Sequence, residues 1–167
     1  PFSPALETSA GQFNYDIIKK ALEREDAVGI SEVVGPYILA QFPDLLSSMD
    51  LVNKTPGMTN QGHLADMKGP AMNAVLAAGV TTDHESLGPE DALERVRKGC
   101  HLMIREGSAA RNLEACLKAV LEAKVDTSRV SIITDDLHTC DGVNNGHLDD
   151  AVRRAISYGA DLATAIK

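Results

Sequence analysis

Tryptophan is absent from this 167-residue chain and aromatic residues make up only 4% of it. A core must therefore be built from Leu, Ile, Val, Ala and Met. No apolar run approaches the ~20 residues of a membrane span, and Pro1-Phe2-Ser3-Pro4 lacks the charged and apolar regions of a signal peptide. Cysteine is scarce: Cys100, Cys116 and Cys140 are odd in number and form no Cys-x-x-Cys pair. That disfavours a disulfide framework and a zinc ribbon, and predicts reduced thiols in a cytoplasmic protein. Basic charge is in deficit, with 16 Lys and Arg against 24 Asp and Glu, a net charge of −8. Nucleic acid and anionic membrane are thereby excluded as expected partners, because phosphate binding needs a basic patch. There is no initiator Met, and residues 161–167 read as a helix cut short, so the chain is expected to be a fragment.

What is present is an alternation of helix and strand. Apolar residues at Ile17, Ile18, Ala21 and Leu22 predict an amphipathic helix over 14–24. A short strand is expected over 27–30, ending at Ser31-Glu32, then a helix over 44–52 after Pro43 and a loop or weak strand leading to His63. Pro70 suits a first helical turn, and Gly79 stops that helix. A strand follows over 80–82. The next helix opens at Pro89 with Glu90 and Asp91 at the positive end of its dipole. It closes on Arg95, Arg97 and Lys98 before Gly99, with Ala92, Leu93, Val96 and Cys100 on one face. Strands over 101–104 and 130–134, helices over 111–124 and 149–157, and a turn at Asn144-Asn145-Gly146 complete the pattern. Strands alternating with helices imply an α/β fold with a parallel sheet and right-handed crossovers. No Gly-x-Gly-x-x-Gly or Walker sequence follows any expected strand. A barrel segment is favoured over an open doubly wound sheet.

Several of the expected strands end in metal ligands. Glu32, His63, His84 and Asp135 all fall at or just beyond strand ends, where parallel α/β folds place their chemistry. Imidazole and carboxylate suit a divalent ion such as Zn, Mn or Fe. Singly, each residue has a plainer role: a hydrogen-bonded loop histidine, a turn or capping carboxylate, a solvent-facing glutamate. Their coincidence on one sheet edge is what points to a metal-dependent site. Arg105-Glu106-Gly107-Ser108 follows another strand, and two readings stay open for it. It is either a turn in which Ser108 caps the next helix, or a contact to a polar substrate through Arg105 or Glu106. His101 begins a strand and reads as structural, and His147 sits near a helix start. His138 lies in the loop after the last strand, within reach of the site, and its His-x-Cys spacing to Cys140 is too short for a zinc module.

The chain resembles the bacterial adenine deaminases of the amidohydrolase superfamily. Residues 104–113, Ile-Arg-Glu-Gly-Ser-Ala-Ala-Arg-Asn-Leu, look like that family's signature almost unbroken. Around them, in the family's order, come Asn73-Ala74 with Ala77-Ala78-Gly79, Thr82-Asp83-His84-Glu85, Thr134-Asp135-Asp136 and Gly146-His147-Leu148-Asp149. The likeness runs from Glu7-Thr8-Ser9 to the C-terminus and covers the middle of a longer protein.

That resemblance implies a partial (β/α)8 TIM-type barrel of the metal-dependent hydrolase kind, roughly strands 4 to 8, with residues 1–167 as its central and C-terminal part. It implies Glu32 as a glutamate bridging two metals, His63 and His84 as ligands after the fifth and sixth strands, and Asp135 as the strand-eight ligand and proton shuttle. Glu85 joins Asp135 as a catalytic candidate. Arg105, Glu106 and Ser108 would lie near the purine, with Asp136 and His138 supporting the ligands. The implied cofactor is divalent metal, binuclear in the intact enzyme, as Mn or Fe, or alternatively Zn. The implied partner is a purine base, in a cytoplasmic homo-oligomer. The implied reaction is hydrolytic deamination of adenine to hypoxanthine and ammonia, the fragment alone being inactive. The alternatives are another amidohydrolase acting on a cyclic amide or amino-purine, and a non-catalytic truncated homologue. The family's Asp-Gly-His-Ala-Pro stands here as Gln61-Gly62-His63-Leu64-Ala65, and its Asp-Asp-Arg-His-Pro as Asp135-Asp136-Leu137-His138-Thr139. The His-x-His pair of a first barrel strand does not occur in these residues.

Overall fold

A computed structural model describes Gly11 and residues 13–166, so Glu7-Thr8-Ser9 lies outside the described residues. The chain divides into two compact units, Pro1–Thr81 and Thr82–Lys167. Five strands alternate with helices along it, and the strand pairings within each unit are parallel. This order is compatible with a partial TIM-type barrel.

The first unit contains α1 (Tyr15–Leu22), β1 (Gly29–Val34), α2 (Gly35–Leu39), α3 (Pro43–Lys54), β2 (Thr59–His63) and α4 (Gly69–Ala77). Asn14 begins α1 by accepting the Ile17 N–H at 3.1 Å, a side-chain cap for an otherwise unsatisfied donor. Only Leu22 of the expected apolar stripe is buried, while Ile17 stays 47% exposed. α3 packs on α1, β1 and β2 through Met49 and Val52, both 1% exposed. β2 is a strand of mostly polar residues, held by packing rather than propensity. Its Asn60 is buried and donates to Asn53 Oδ1 at 2.8 Å, while Asn53 donates to the Ala78 carbonyl at 3.0 Å.

β1 is longer than the sequence pattern predicts, so Glu32 lies within it rather than past its end. Its pairing with β2 runs Ile30 to Asn60, then Val33 to Gly62. Ser31 and Glu32 thus stand opposite one residue, Gln61: a β-bulge. Such an extra residue bends the strand and re-aims its side chains. Gly29 permits the close approach at the start of this pair. Its φ is +146°, and a Cβ there would run into the Thr59 backbone.

The second unit holds the pairing residues of β3 (Val80–Asp83), then α5 (Pro89–Arg97), β4 (His101–Arg105), α6 (Leu113–Glu122), a 3-10 turn at Thr127–Arg129, β5 (Val130–Ile133), α7 (Thr139–Asn144), α8 (Leu148–Ser157) and α9 (Leu162–Ile166). β4 is paired on one side with β3 (Asp83 opposite Leu102) and on the other with β5 (Arg105 opposite Ile133). Alternation along β4 separates two functions. Leu102 and Ile104 enter a core with Leu113, Cys116, Leu117 and Val120 of α6 and Ala155 of α8. Arg105, one residue on, falls on the other face. Each fully buried Leu, Ile or Val contributes about 1.5–3 kcal/mol relative to exposure, which fixes β4 and therefore what its last residue can reach. Pro89 opens α5 and Gly99, at φ +79°, follows it as expected. The short helices α2 and α7 are not legible in the periodicity, being too short to show it.

Candidate active site

β3, β4 and β5 are parallel, so their C-terminal ends share one edge, and three segments bring charged side chains there. His84 and Glu85 follow β3 directly, Arg105 ends β4, and Asp135 lies two residues beyond β5. Arg105 Nη1 donates to Glu85 Oε1 at 2.5 Å and to Asp135 Oδ2 at 3.3 Å. His84 Nε2 is 3.4 Å from the same Glu85 oxygen. The cluster is shielded unevenly: the side chains of Arg105, Glu85 and His84 are 9%, 11% and 13% exposed, whereas that of Asp135 is 27% exposed and the residue as a whole is exposed. Asp135 adopts φ +55°, in the left-handed region that Asp tolerates better than most residues. That turn directs its carboxylate back to Arg105.

One ligand atom from each of His84, Glu85 and Asp135 lies within 4.8 Å of the others. Two carboxylates face a single guanidinium here, a surplus of one negative charge before the imidazole is counted. Nitrogen and oxygen donors with net negative charge suit a divalent cation, so this trio could hold one. In the first unit, the bulge of β1 sets Glu32 Oε2 3.1 Å from His63 Nδ1 at the end of β2. This is a second pairing of imidazole with carboxylate among the residues singled out from sequence.

Arg105-Glu106-Gly107-Ser108 is a tight turn rather than a helix cap. Glu106 N–H donates to the Ile133 carbonyl at 2.8 Å, Ser108 N–H to the Asp136 carbonyl at 2.9 Å, and Asn112 N–H back to the Arg105 carbonyl at 3.0 Å. Gly107 is required by this approach, because a Cβ would collide with the Thr134 carbonyl oxygen and come within 2.8 Å of that of Asp136. The turn thereby locks the backbone on either side of Asp135 to the end of β4.

Glu106 and Ser108 are not brought to the Arg105 cluster. Glu106, on the opposite parity, lies 3.7 Å from Arg154 of α8, whose guanidinium is held above its usual range chiefly by a hydrogen bond to Asp150. Ser108 Oγ donates to Asp141 Oδ2 at 2.5 Å and accepts the His138 N–H at 2.8 Å. Ser108 therefore ties the loop after β5 to α7 and does not cap α6, whose N-cap is Asn112. His138 caps α7, its Nδ1 accepting the Cys140 N–H at 3.3 Å. Asp136 is exposed, with its carbonyl used by Ser108. His101 hydrogen-bonds Ser131 Oγ at 3.1 Å at the strands' opposite end, a structural place.

Sequence reasoning missed Asp83 and Arg95. They form a fully buried ion pair, Arg95 Nε to Asp83 Oδ2 at 2.7 Å, with Arg95 1% and Asp83 0% exposed. The available signals were a carboxylate at a strand end and the i,i+4 spacing of Asp91 and Arg95.

The chain is 35% identical over 163 residues to an adenine deaminase of Desulfatibacillum aliphaticivorans, covering 97% of this chain and 28% of that protein. An adenine deaminase of Bacillus licheniformis is 38% identical over 163 residues, again with 28% of its length covered. One of Methanosarcina barkeri is 30% identical over 168 residues, 100% of this chain and 30% of that protein. No family model matches the chain. Similarity to adenine deaminases thus extends over nearly the whole chain, while the chain spans less than a third of the length of these relatives.

Proposed function

We propose that this chain, similar along nearly all its length to a segment of adenine deaminases, carries the later half of a metal-dependent site that hydrolyses adenine to hypoxanthine and ammonia in the whole protein. The observation that supports this most is Arg105 joining Glu85 and Asp135 beside His84, four side chains from three strand ends. His84 and Asp135 are the proposed metal ligands of this unit, and Glu32 and His63 those of the first. Divalent ions held by such donors, proposed to be Mn or Fe and two in number, would supply Lewis-acid activation of water and of the base.

The chain's own residues divide the remaining work. Asp135 accepts the proton of the attacking water and returns it to the departing amino nitrogen at C6, as base and then acid. Arg105 fixes the orientation of Asp135 and Glu85 together, so the proton carrier and the second carboxylate keep a constant separation. Glu85 is the proposed hydrogen-bonding partner of the purine ring. Arg105 and Glu85 are largely shielded from water, which strengthens the charge interaction between them. Glu106 and Ser108 serve substrate recognition indirectly, by shaping the turn that holds Asp135. No helix among the described residues is long and apolar enough to cross a membrane. The three free thiols fit a reducing, cytoplasmic setting.

The test is the full-length protein, loaded with Mn or Fe and given adenine, with ammonia release as the readout. Turnover of adenine supports the reading. Turnover of a cyclic amide or a different amino-purine, with adenine untouched, would replace it by the wider amidohydrolase activity.

A further inference from the structure

The loop from His84 to Gly88 carries two of the four clustered side chains, yet it is only five residues long and belongs to no helix or strand. Its backbone is held from outside. Asp83 Oδ1 accepts the Glu85 N–H at 3.2 Å, and Asp91 Oδ2 accepts the Leu87 N–H at 3.2 Å. Both carboxylates face one guanidinium: Arg95 Nε lies 2.7 Å from Asp83 and its Nη1 lies 4.0 Å from Asp91. From α6, the Cys116 thiol donates to the Ser86 and Gly88 carbonyls at 3.7 and 3.6 Å, and Asn112 donates to the Leu87 carbonyl at 3.5 Å.

We propose that Arg95 is a positioning residue, clamping Asp83 and Asp91 so that these two carboxylates set the backbone of the His84–Glu85 turn and thereby the reach of Glu85 to Arg105. This deepens the reading under Proposed function and rests on it for its link to catalysis. Three observations carry it. The pair is buried where a core contact would ordinarily be apolar. Replacing a buried ion pair by an apolar pair of similar volume is often neutral or stabilising, so stability alone does not account for this one. Each carboxylate that faces Arg95 also accepts a loop N–H, so the same group joins the guanidinium to the turn. Those two loop donors, finally, are satisfied in the conformation that points Glu85 at Arg105. Residues that orient metal ligands without touching the ion typically change metal affinity about 10–100-fold when removed.

The experiment compares the full-length parent protein with Arg95→Met and with the double replacement Asp83→Leu/Arg95→Met, which leaves no lone Asp83 charge in the core. Amide hydrogen exchange is read at Glu85 and Leu87, with Leu102 and Val120 as core controls, and Mn2+ affinity is read by titration of the metal alone. The expected result is exchange at Glu85 and Leu87 faster by about 100-fold or more, controls unchanged, and Mn2+ affinity weaker by about 10-fold or more. Unchanged exchange at the two amides in a folded variant overturns the proposal. So does faster exchange with Mn2+ affinity retained. If the parent itself binds no Mn2+, the metal reading fails separately, and the two amides alone decide whether Arg95 positions the turn. Should Arg95→Met alone lose its fold, as the controls would show, the double replacement decides at Leu87, whose acceptor Asp91 it keeps, and not at Glu85, whose acceptor it removes.

Discussion

Arg105 uses a single nitrogen to hold two carboxylates, Glu85 at 2.5 Å and Asp135 at 3.3 Å. These come from the ends of strands on either side of its own. The side chain works as a tie across the edge of the sheet. Removing it leaves two carboxylates close together with no cation between them.

Arg105→Met is therefore expected to destabilise the second unit by about 3–5 kcal/mol, the usual cost of deleting one partner of a buried charge pair. Urea denaturation of parent and variant measures this directly. Arg105→Lys should recover only part of the loss, because an ammonium cannot reproduce the fixed fork of a guanidinium. A change below about 0.5 kcal/mol for Arg105→Met would place the pair among solvent-screened contacts instead.

Gly107 has no room for a side chain against the Thr134 and Asp136 carbonyls. Gly107→Ala should cost about 1–3 kcal/mol through forced displacement of packed backbone. The displacement falls on the residues flanking Asp135, so amide NMR shifts should concentrate at residues 134–138. Changes confined to residue 107 and its chain neighbours would contradict this account of the turn.

His101 is partly buried, and burial first, then the charge of Arg129, lowers its pKa below the ordinary 6.5. The unfolded chain thus binds a proton at this residue more readily than the folded one. The stability tied to neutral His101 is complete above pH 6.5 and is lost as the pH falls towards and through the folded value. A His101→Gln variant should show a flatter stability profile across that acidic window. Parallel profiles for parent and variant in urea melts from about pH 7.5 to about pH 5 would remove His101 from the explanation.

The cysteines should react in two classes. Burial pushes the Cys100 thiol up to about 12 and the Cys116 thiol up to about 11, and both lie within the packed structure, whereas Cys140 is exposed. A thiolate is the reactive species, so a disulfide reagent at neutral pH should titrate one thiol per folded chain and three after denaturation. Rapid modification of more than one in the folded state would show that α6, which carries Cys116, or the segment entering β4 at Cys100 opens readily.

The helix-and-strand alternation could be read from local pattern alone, because amphipathic periodicity, Pro at first turns and Gly at helix ends act within a few residues. Pro89 and Gly99 bracketed α5 correctly, and strand ends marked His84 and Asp135 as residues on one edge, while the role of Arg105 stayed open between a turn and a substrate contact. The sequence likewise determined the chemistry available, imidazole and carboxylate with few thiols and an acidic balance. Tertiary structure alone decided the partners. A bulge, invisible to a period-two pattern, aimed Glu32 at His63. Strand parity sent Arg105 to Glu85 and its neighbour Glu106 to Arg154, and Arg95 turned inward to Asp83 instead of closing its helix in solvent. Local sequence sets which conformations are cheap, whereas the partner of a buried charge depends on residues far along the chain that only packing brings near.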